Sequence, residues 1–377
     1  MKNKKKAIVC VSNDLVTDNR VAKTCAVLVE QNYEVTLVGR KKADSPKMTQ
    51  KNYKFYRLRL PFEKGPLFYV FLNLRLFTFL LSKKSDLIYA NDLDTLAPSF
   101  LISKLKNTRI IYDTHELFTE VPELTARPKI QKIWLAIEQF IFPKLTHVIT
   151  VNDSIAKIYE EKYGVTVHTI RNVPLLSEER QNKEDRKNLG LNGNDFILII
   201  QGSGLNKDRG IEEAITAMEE CENCVLLLVG NGDVIPLAKK MVSNKKLHLK
   251  VKFIPRMPYA QLMQITRLAD LGLILDKNTS LNQGLVLPNK LFDYMHAETP
   301  ILSSNLKEIT KVIVKYDIGS FISETKPSVI SDAVNAYKAD IVLQEKHREN
   351  CRIAAKEENW QVERKKLKAI IAVSDCV

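Results

Sequence analysis

Pro288-Asn289-Lys290-Leu291-Phe292-Asp293-Tyr294-Met295 follows an apolar run, Leu271-Gly272-Leu273-Ile274-Leu275, and a polar loop containing Gly284. A second apolar run, Pro300-Ile301-Leu302, comes after it. The succession reads as strand, loop, short helix, strand. Asn289 and Lys290 fall at the helix start, and Asp293 lies one turn further on the side of Lys290. A helix start offers free backbone N–H groups and a positive dipole end, which suits a phosphate. A carboxylate one turn deeper can accept both hydroxyls of a ribose. Together they predict a holder for a nucleoside diphosphate. The competing reading is a capped surface helix with an Asp293–Lys290 pair.

Outward from this segment, apolar runs alternate with helical patterns along the whole chain. Strands are expected at Ala7–Ser12, Glu34–Val38, Leu87–Ala90, Arg109–Tyr112 and His147–Val151, with helices such as Arg20–Gln31 and Lys129–Phe142 between them. A second set is Phe196–Gln201, Cys224–Val229, Val251–Ile254, Leu271–Leu275 and Ile301–Ser303. Alternation of this kind implies α/β architecture with parallel sheets covered on both faces. A length of 377 residues favours two domains. The polar stretch Ser177–Asp195 supplies a boundary, and the segment Ile341–Val373 reads as charged and helical. Two doubly wound domains facing a ligand cleft are the expectation, with ligands beyond the carboxyl ends of the strands.

Composition narrows the partners. The chain is 45% apolar and 27% charged, as in soluble globular proteins. Met1–Lys6 is basic, but Ala7–Ser12 is short and reads as a first strand rather than a signal sequence. Six scattered cysteines suggest reduced thiols and a cytoplasmic setting, and the lone Cys221-Glu222-Asn223-Cys224 has no second pair at zinc spacing. Of the net charge of +13, residues 1–172 carry +11, from 28 Lys+Arg against 17 Asp+Glu. The excess is densest from Arg40 to Lys64. Next comes the apolar stretch Pro66–Leu81, then Lys83-Lys84. That stretch is too short, and too interrupted by Asn73 and Arg75, to span a bilayer. Residues 40–84 instead suggest an anionic membrane surface as partner. The alternative is a buried helix preceded by a solvated basic loop. No nucleic-acid-binding motif accompanies the charge.

The loops after the expected strands carry the remaining candidates. Phe196–Gln201 runs into Gly202-Ser203-Gly204, then Lys207-Asp208-Arg209-Gly210, ahead of a helix Ile211–Met218. The glycines allow close backbone approach, and Lys207 and Arg209 add positive charge. Val225–Val229 ends in Gly230-Asn231-Gly232-Asp233, which a tight turn also explains. Ile110–Tyr112 ends in Asp113-Thr114-His115-Glu116, a histidine flanked by carboxylates and suited to proton or hydrogen-bond chemistry. Asn91-Asp92-Leu93-Asp94 is read as caps for the next helix, with a metal-binding Asp-x-Asp as the lesser alternative. Asp18 is expected to cap a helix and Arg20 to face the cleft.

Taken in order, these pieces resemble the family 4 (group 1) glycosyltransferases of the GT-B fold, in their bacterial polysaccharide-type branch. The matching segments are Thr17-Asp-Asn-Arg20-Val, Tyr112-Asp-Thr-His115-Glu116, Ile170-Arg-Asn-Val-Pro174, Arg209-Gly-Ile211, Val229-Gly-Asn-Gly232 and Pro288-Asn-Lys-Leu-Phe-Asp293-Tyr-Met. The resemblance implies two Rossmann-like domains, here 1–174 on the acceptor and membrane side and 175–345 for the nucleotide-sugar. Residues 346–377 would form a helical segment crossing back to the first domain. It implies sugar transfer with retention and without a metal or cofactor, from a UDP-, GDP- or other nucleotide-sugar to a glycan or lipid-linked acceptor. His115, Arg209 and Lys290 take the catalytic positions. Gly202, Gly204, Lys207, Arg209, Gly232, Asn289, Lys290 and Asp293 take the donor-binding ones, and Asp18, Arg20 and Glu116 the acceptor side. Three departures stand out: Leu285 replaces the first glutamate of the family's signature, Ser203 replaces a usual arginine, and the glycine-rich first loop is absent. A nucleotide-sugar epimerase of the same architecture, or a non-catalytic nucleotide-sugar binder, are the alternatives.

Overall fold

The computed structural model describes residues 4–16, 18–43, 45–177 and 186–373. Thr17 of the first matching segment and residues 178–185 of the polar stretch lie outside them. The chain divides into two compact units, Met1–Asn172 with Glu363–Val377, and Val173–Val362.

The first unit runs β1 (Lys5–Asp14), α1 (Asn19–Glu30), β2 (Tyr33–Lys41), β3 (Lys54–Arg59), α2 (Gly65–Ser82), β4 (Leu87–Asn91), α3 (Leu93–Lys106), β5 (Arg109–Thr114), α4 (Pro122–Thr125), α5 (Pro128–Ile141), β6 (Val148–Thr150), α6 (Asp153–Tyr163) and β7 (Val167–Thr169). Its sheet has the order β3-β2-β1-β4-β5-β6-β7, with every registered pair parallel. The strands are apolar because helices cover both faces. Ile8, Cys10 and Ile88 meet Phe68, Leu72, Leu76 and Leu80 of α2 in one such core layer.

Two expectations for this unit change. The basic stretch before α2 is not all loop, since β3 forms at Lys54–Arg59. It was hidden because it is an edge strand whose only buried side chain is Leu58, with Lys54 and Arg59 exposed and Arg57 paired with Asp14. The helix α2, at 18 residues with mean hydropathy 1.4, is long and apolar enough to cross a membrane by length and composition, Asn73 and Arg75 notwithstanding. In the fold it lies on the sheet through Phe68, Leu72, Leu76, Phe79 and Leu80, and its opposite face is exposed.

The second unit runs β8 (Phe196–Gly202), α7 (Ile211–Ala217), β9 (Cys224–Gly230), α8 (Ile235–Asn244), β10 (Val251–Ile254), α9 (Tyr259–Thr266), β11 (Leu271–Ile274), α10 (Leu281–Gly284), α11 (Asn289–His296), β12 (Ile301–Ser304), α12 (Lys307–Tyr316), β13 (Gly319–Ile322), α13 (Pro327–Ala339) and α14 (Ile341–Ala354). The last helix, α15 (Trp360–Val373), begins here, and its residues from Glu363 onward belong to the first unit. There Arg364 and Lys368 bond Glu30 of α1. The sheet is parallel in the order β10-β9-β8-β11-β12-β13. Along β8, Phe196, Leu198 and Ile200 enter one core layer, and Ile197 and Ile199 the other. This two-residue period with both faces buried explains the unbroken apolar run. In each sheet the strand order reverses at the first strand, between β1 and β4 and between β8 and β11. Such switch points open a crevice at the carboxyl ends.

Candidate functional site

In the second unit, the predicted residues gather at the carboxyl ends of β8 and β11. Just beyond β11 stands Asp276, which sequence reasoning did not single out. It is 2% exposed. Its Oδ1 accepts from Arg209 Nη1, and Lys290 Nζ lies 3.0 Å from its Oδ2. Burial opposes its ionisation, but Lys290 and then Arg209 outweigh that cost and hold the carboxyl below its usual range. Two cations, one from the loop between β8 and α7 and one from the first turn of α11, are thus fixed together with a surplus of one positive charge. Gly210 makes this possible. Its φ is +71°, and a Cβ there would stand 2.4 Å from Leu275 Cβ. Only glycine lets the Arg209 loop turn so close to the end of β11.

The Asp293–Lys290 pair of the competing reading does not form, because the two residues have different partners. Asp293, 8% exposed, accepts from Tyr259 Oη at 2.7 Å and Gln201 Nε2 at 3.2 Å. Gln201 is itself fixed by Thr266 Oγ1 at 2.7 Å. Asn289 is exposed at the start of α11, whose N-cap residue, Pro288, provides no side-chain cap. Gly202 and Gly204 have no backbone need to be glycine: a Cβ at either would meet nothing closer than 3.6 Å and 3.3 Å. Their lack of side chains leaves the end of β8 uncovered. Gly232 differs, since a Cβ there would lie 2.1 Å from the Leu205 carbonyl oxygen, so loop packing alone demands it. Lys207 is exposed, with its N–H given to Asp233 at 3.1 Å. Leu285, in the place of the absent glutamate, is buried.

In the first unit, Asp18 caps α1 by accepting from the Val21 N–H at 3.0 Å, as its sequence position predicts. Arg20 corrects its expectation. It is buried at 5% exposure, bonded twice to Asp113 at 2.7 and 3.1 Å and once to the Ile170 carbonyl at 2.8 Å. A guanidinium so fully used orients Asp113 and does not face an opening. Glu116 is half-buried, and its carbonyl accepts the Thr114 hydroxyl at 2.8 Å. Asp92 is a second correction. Its side chain does not cap α3. Oδ1 instead accepts the His115 backbone N–H at 2.9 Å, and Oδ2 lies 3.2 Å from His115 Nδ1. Asp113 Oδ2 is 3.8 Å from His115 Nε2, too far for a hydrogen bond. Burial disfavours charge on the imidazole, yet Asp92 and Asp113 raise its pKa to about 10. Asp94 is raised to about 7, first by burial and then by the charge of Asp92.

Among the described residues, no group of three or more His, Cys, Asp or Glu is placed to hold a metal. Cys221 and Cys224 are buried free thiols. The residues missed by sequence reasoning were Asp276, Gln201, Tyr259 and the true role of Asp92. Asp276 and Asp92 each stand directly beyond a strand's carboxyl end, and that position was the available signal.

Two switch-point sheets, each with polar side chains at its carboxyl edge, define the two-domain α/β architecture of the GT-B glycosyltransferases. Comparison with known proteins agrees. The model for Glycosyltransferase Family 4 matches residues 18–174, and that for Glycosyl transferases group 1 matches residues 181–358. The two matches together span most of the chain, which belongs to the group 1 glycosyltransferases. Among solved structures it is similar to a sucrose-phosphate synthase from Thermosynechococcus elongatus (TM-score 0.79, 16% identity, 98% of each chain covered). It is also similar to Anabaena HepE in complex with UDP-glucose (TM-score 0.76, 13% identity, 98% and 99% covered). A third is WaaG, a glycosyltransferase involved in lipopolysaccharide biosynthesis (TM-score 0.64, 13% identity, 97% and 99% covered). No curated protein matches the chain in sequence.

Proposed function

We propose that the chain moves a sugar from a nucleotide-sugar to a glycan or lipid-linked acceptor, with retention and without a metal, in the assembly of a bacterial surface polysaccharide. The observation that carries this reading is the convergence of Arg209 and Lys290 on buried Asp276 at the switch point of the second sheet. Loss of a nucleoside diphosphate builds negative charge on its oxygens, and preorganised cations stabilise that charge without reorganising. Asp276 supplies the preorganisation. The positive dipole end of α11 adds to the attraction, and the bare backbone at Gly202 and Gly204 admits the phosphates. Asp293 takes the ribose, and His115 is the first unit's candidate for the transfer chemistry. HepE was solved with UDP-glucose, which supports a uridine donor as the first to try.

The test is product analysis of the purified protein with nucleotide-sugars, with and without glycan acceptors. Acceptor-dependent transfer is expected. Arg209→Ala and Lys290→Ala should each lower kcat/KM by about a hundredfold, the effect of losing one charge-stabilising donor. Turnover like wild type in either variant refutes those assignments. Conversion of the donor without acceptor would instead indicate an epimerase, and binding without turnover a sensor.

We also propose that the first unit works on the cytoplasmic face of an anionic membrane. Val70 and Leu74 on the outer face of α2 are 59% and 57% exposed. Near the carboxyl end of α2, a recess of about 320 Å³ is lined by Lys6, Lys54, Lys83 and Lys84, with Tyr56 and Phe79 between them. Apolar side chains beside lysines are the composition that anionic lipid surfaces attract.

A further inference from the structure

The connections of the first sheet put three of its helices side by side. α2, α3 and α5 carry the chain from β3 to β4, β4 to β5 and β5 to β6, each step in the same direction along the strand order. Crossovers between parallel strands are right-handed, so these three share a face of the sheet. α1 steps the other way, from β1 to β2, and covers the opposite face. The three helices pack as one layer. Asn73 of α2 donates to the Asp94 carbonyl of α3 at 3.0 Å. Lys106 of α3 donates to the Leu80 and Leu81 carbonyls at 2.9 and 2.7 Å. Tyr69 of α2 meets Trp134 of α5 edge-on, with ring centroids 5.2 Å apart.

Two independent features set the outer surface of this layer apart. The first is apolar. Leu74 and Leu81 of α2, Leu101 and Leu105 of α3, and Ile133 and Phe140 of α5 are 46% to 67% exposed. α1 and α6 expose no large apolar side chain. A single surface leucine is ordinary, but a set confined to three adjacent helices marks a contact surface. The second is charge. α2 contains no Asp or Glu, and the one acid in each of α3 and α5, Asp94 and Glu138, is buried. The exposed charges of the three helices are therefore all basic: Arg75, Lys104, Lys129 and Lys132. A helix dipole favours lysine in a last turn, but Lys129 stands in the first turn of α5, where the dipole opposes it. α6 bounds the patch on the same face, since it exposes Asp153, Glu160 and Glu161.

We propose that the α2–α3–α5 layer as a whole is the face that lies on an anionic bilayer, with its exposed apolar side chains in the headgroup boundary and its basic side chains on the lipid phosphates. This rests on the membrane reading of α2 and adds α3 and α5 to it. An extended plane, apolar beneath and anionic at its surface, matches three neighbouring helices that are apolar and uniformly basic. The Lys144 ammonium stands over the Phe140 ring, so the two reach that boundary together. Helices in such a layer run along the strands. Docking through them lays the sheet flat and brings its carboxyl edge beside the headgroups, within reach of a lipid-linked acceptor.

The test is sedimentation of the full chain with vesicles containing phosphatidylglycerol, against phosphatidylcholine alone. Two double variants leave α2 intact: Leu101→Ser with Leu105→Ser, and Ile133→Ser with Phe140→Ser. Each should weaken binding to the anionic vesicles about tenfold or more, because two apolar side chains leave the contact. Their melting temperatures without vesicles should stay close to wild type, since all four positions are exposed. In Phe140→Trp, anionic vesicles should shift the emission to the blue as the new ring leaves water, whereas the native Trp134 is already buried. Wild-type binding by both serine variants, with binding lost in Val70→Glu/Leu74→Glu, overturns the three-helix face and leaves the membrane reading of α2 standing. No vesicle binding by the wild type overturns both. An unshifted Phe140→Trp spectrum on vesicle-bound protein removes α5 from the contact and overturns the proposal, even where a serine variant fails to fold. A dimer in vesicle-free buffer that the serine substitutions dissociate assigns the face to a second copy of the chain, which also overturns it.

Discussion

Asp94 and His115 sit within one turn of β4–α3 and end of β5, and both bind their protons more tightly in the folded chain than when unfolded. For His115 the folded pKa of about 10 exceeds the unfolded value of about 6.5. Its contribution to stability is therefore complete below pH 6.5 and is lost as pH rises toward 10. For Asp94 the folded value of about 7 exceeds the ordinary carboxylate value of 3.8. Its carboxyl is comfortable when neutral and costly when charged, so stability falls as pH rises from 4 to 7, about the two values just given. Both groups push in the same direction. The melting temperature should decline from mildly acidic to alkaline pH, and Asp94→Asn should flatten the acidic part. At pH 8 that variant should be more stable than wild type by about 1 kcal/mol or more, read by denaturant titration. An unchanged stability at pH 8 would show that Asp94 is not charged at a cost. At this scale sequence reading was only partly successful. His115, Arg209, Lys290 and Asp293 were identifiable from residue type and position in a strand-end loop. Asp276 and Asp92 were not, because their role is to hold another side chain, and the identity of that side chain is set by contacts 67 and 23 residues distant.

Among the elements, α2 shows two competing demands on one helix. Its inner face, with Leu72, Leu76 and Leu80, belongs to the core. Its outer face, with Leu67, Val70 and Leu74, is left to the solvent. A helix apolar on both sides has little amphipathic contrast, so its sequence could not separate a buried helix from a membrane-seeking one. The lysines about its carboxyl end are the basis for proposing the membrane surface. Val70→Glu with Leu74→Glu should abolish co-sedimentation with vesicles containing phosphatidylglycerol while leaving the melting temperature within a few degrees of wild type. Wild-type binding should weaken at high salt and be absent on phosphatidylcholine vesicles, as expected for charge-assisted docking. Salt-insensitive or absent binding by the wild type counts against the surface. The strands were easier to read. Those buried on both faces, such as β4, β8 and β9, appear as apolar runs, whereas β3, β7 and β13 escaped because short or edge strands bury too few side chains to leave a pattern.

For the molecule as a whole, each unit has its own sheet and core layers, so unfolding need not be a single transition. A nucleotide-sugar that binds the second unit stabilises it by mass action, by about 2.7 kcal/mol at a hundredfold excess over Kd. Scanning calorimetry should therefore show a transition that rises with donor concentration, and Lys290→Ala should reduce the rise. Donor-independent melting across UDP- and GDP-sugars would remove the case for a donor site. The charge imbalance belongs to this scale too, since nearly all of the +13 falls within residues 1–172. The sequence by itself determined the two α/β sheets, the family resemblance and the strand-end loops, because these follow from local periodicity and from short ordered segments. Only the tertiary structure decided which charges meet: Arg209 and Lys290 on Asp276, Arg20 on Asp113, and His115 on Asp92. Ion pairing in a buried place depends on which strand ends lie side by side, and the sheet order that sets this is a long-range property that no local pattern contains.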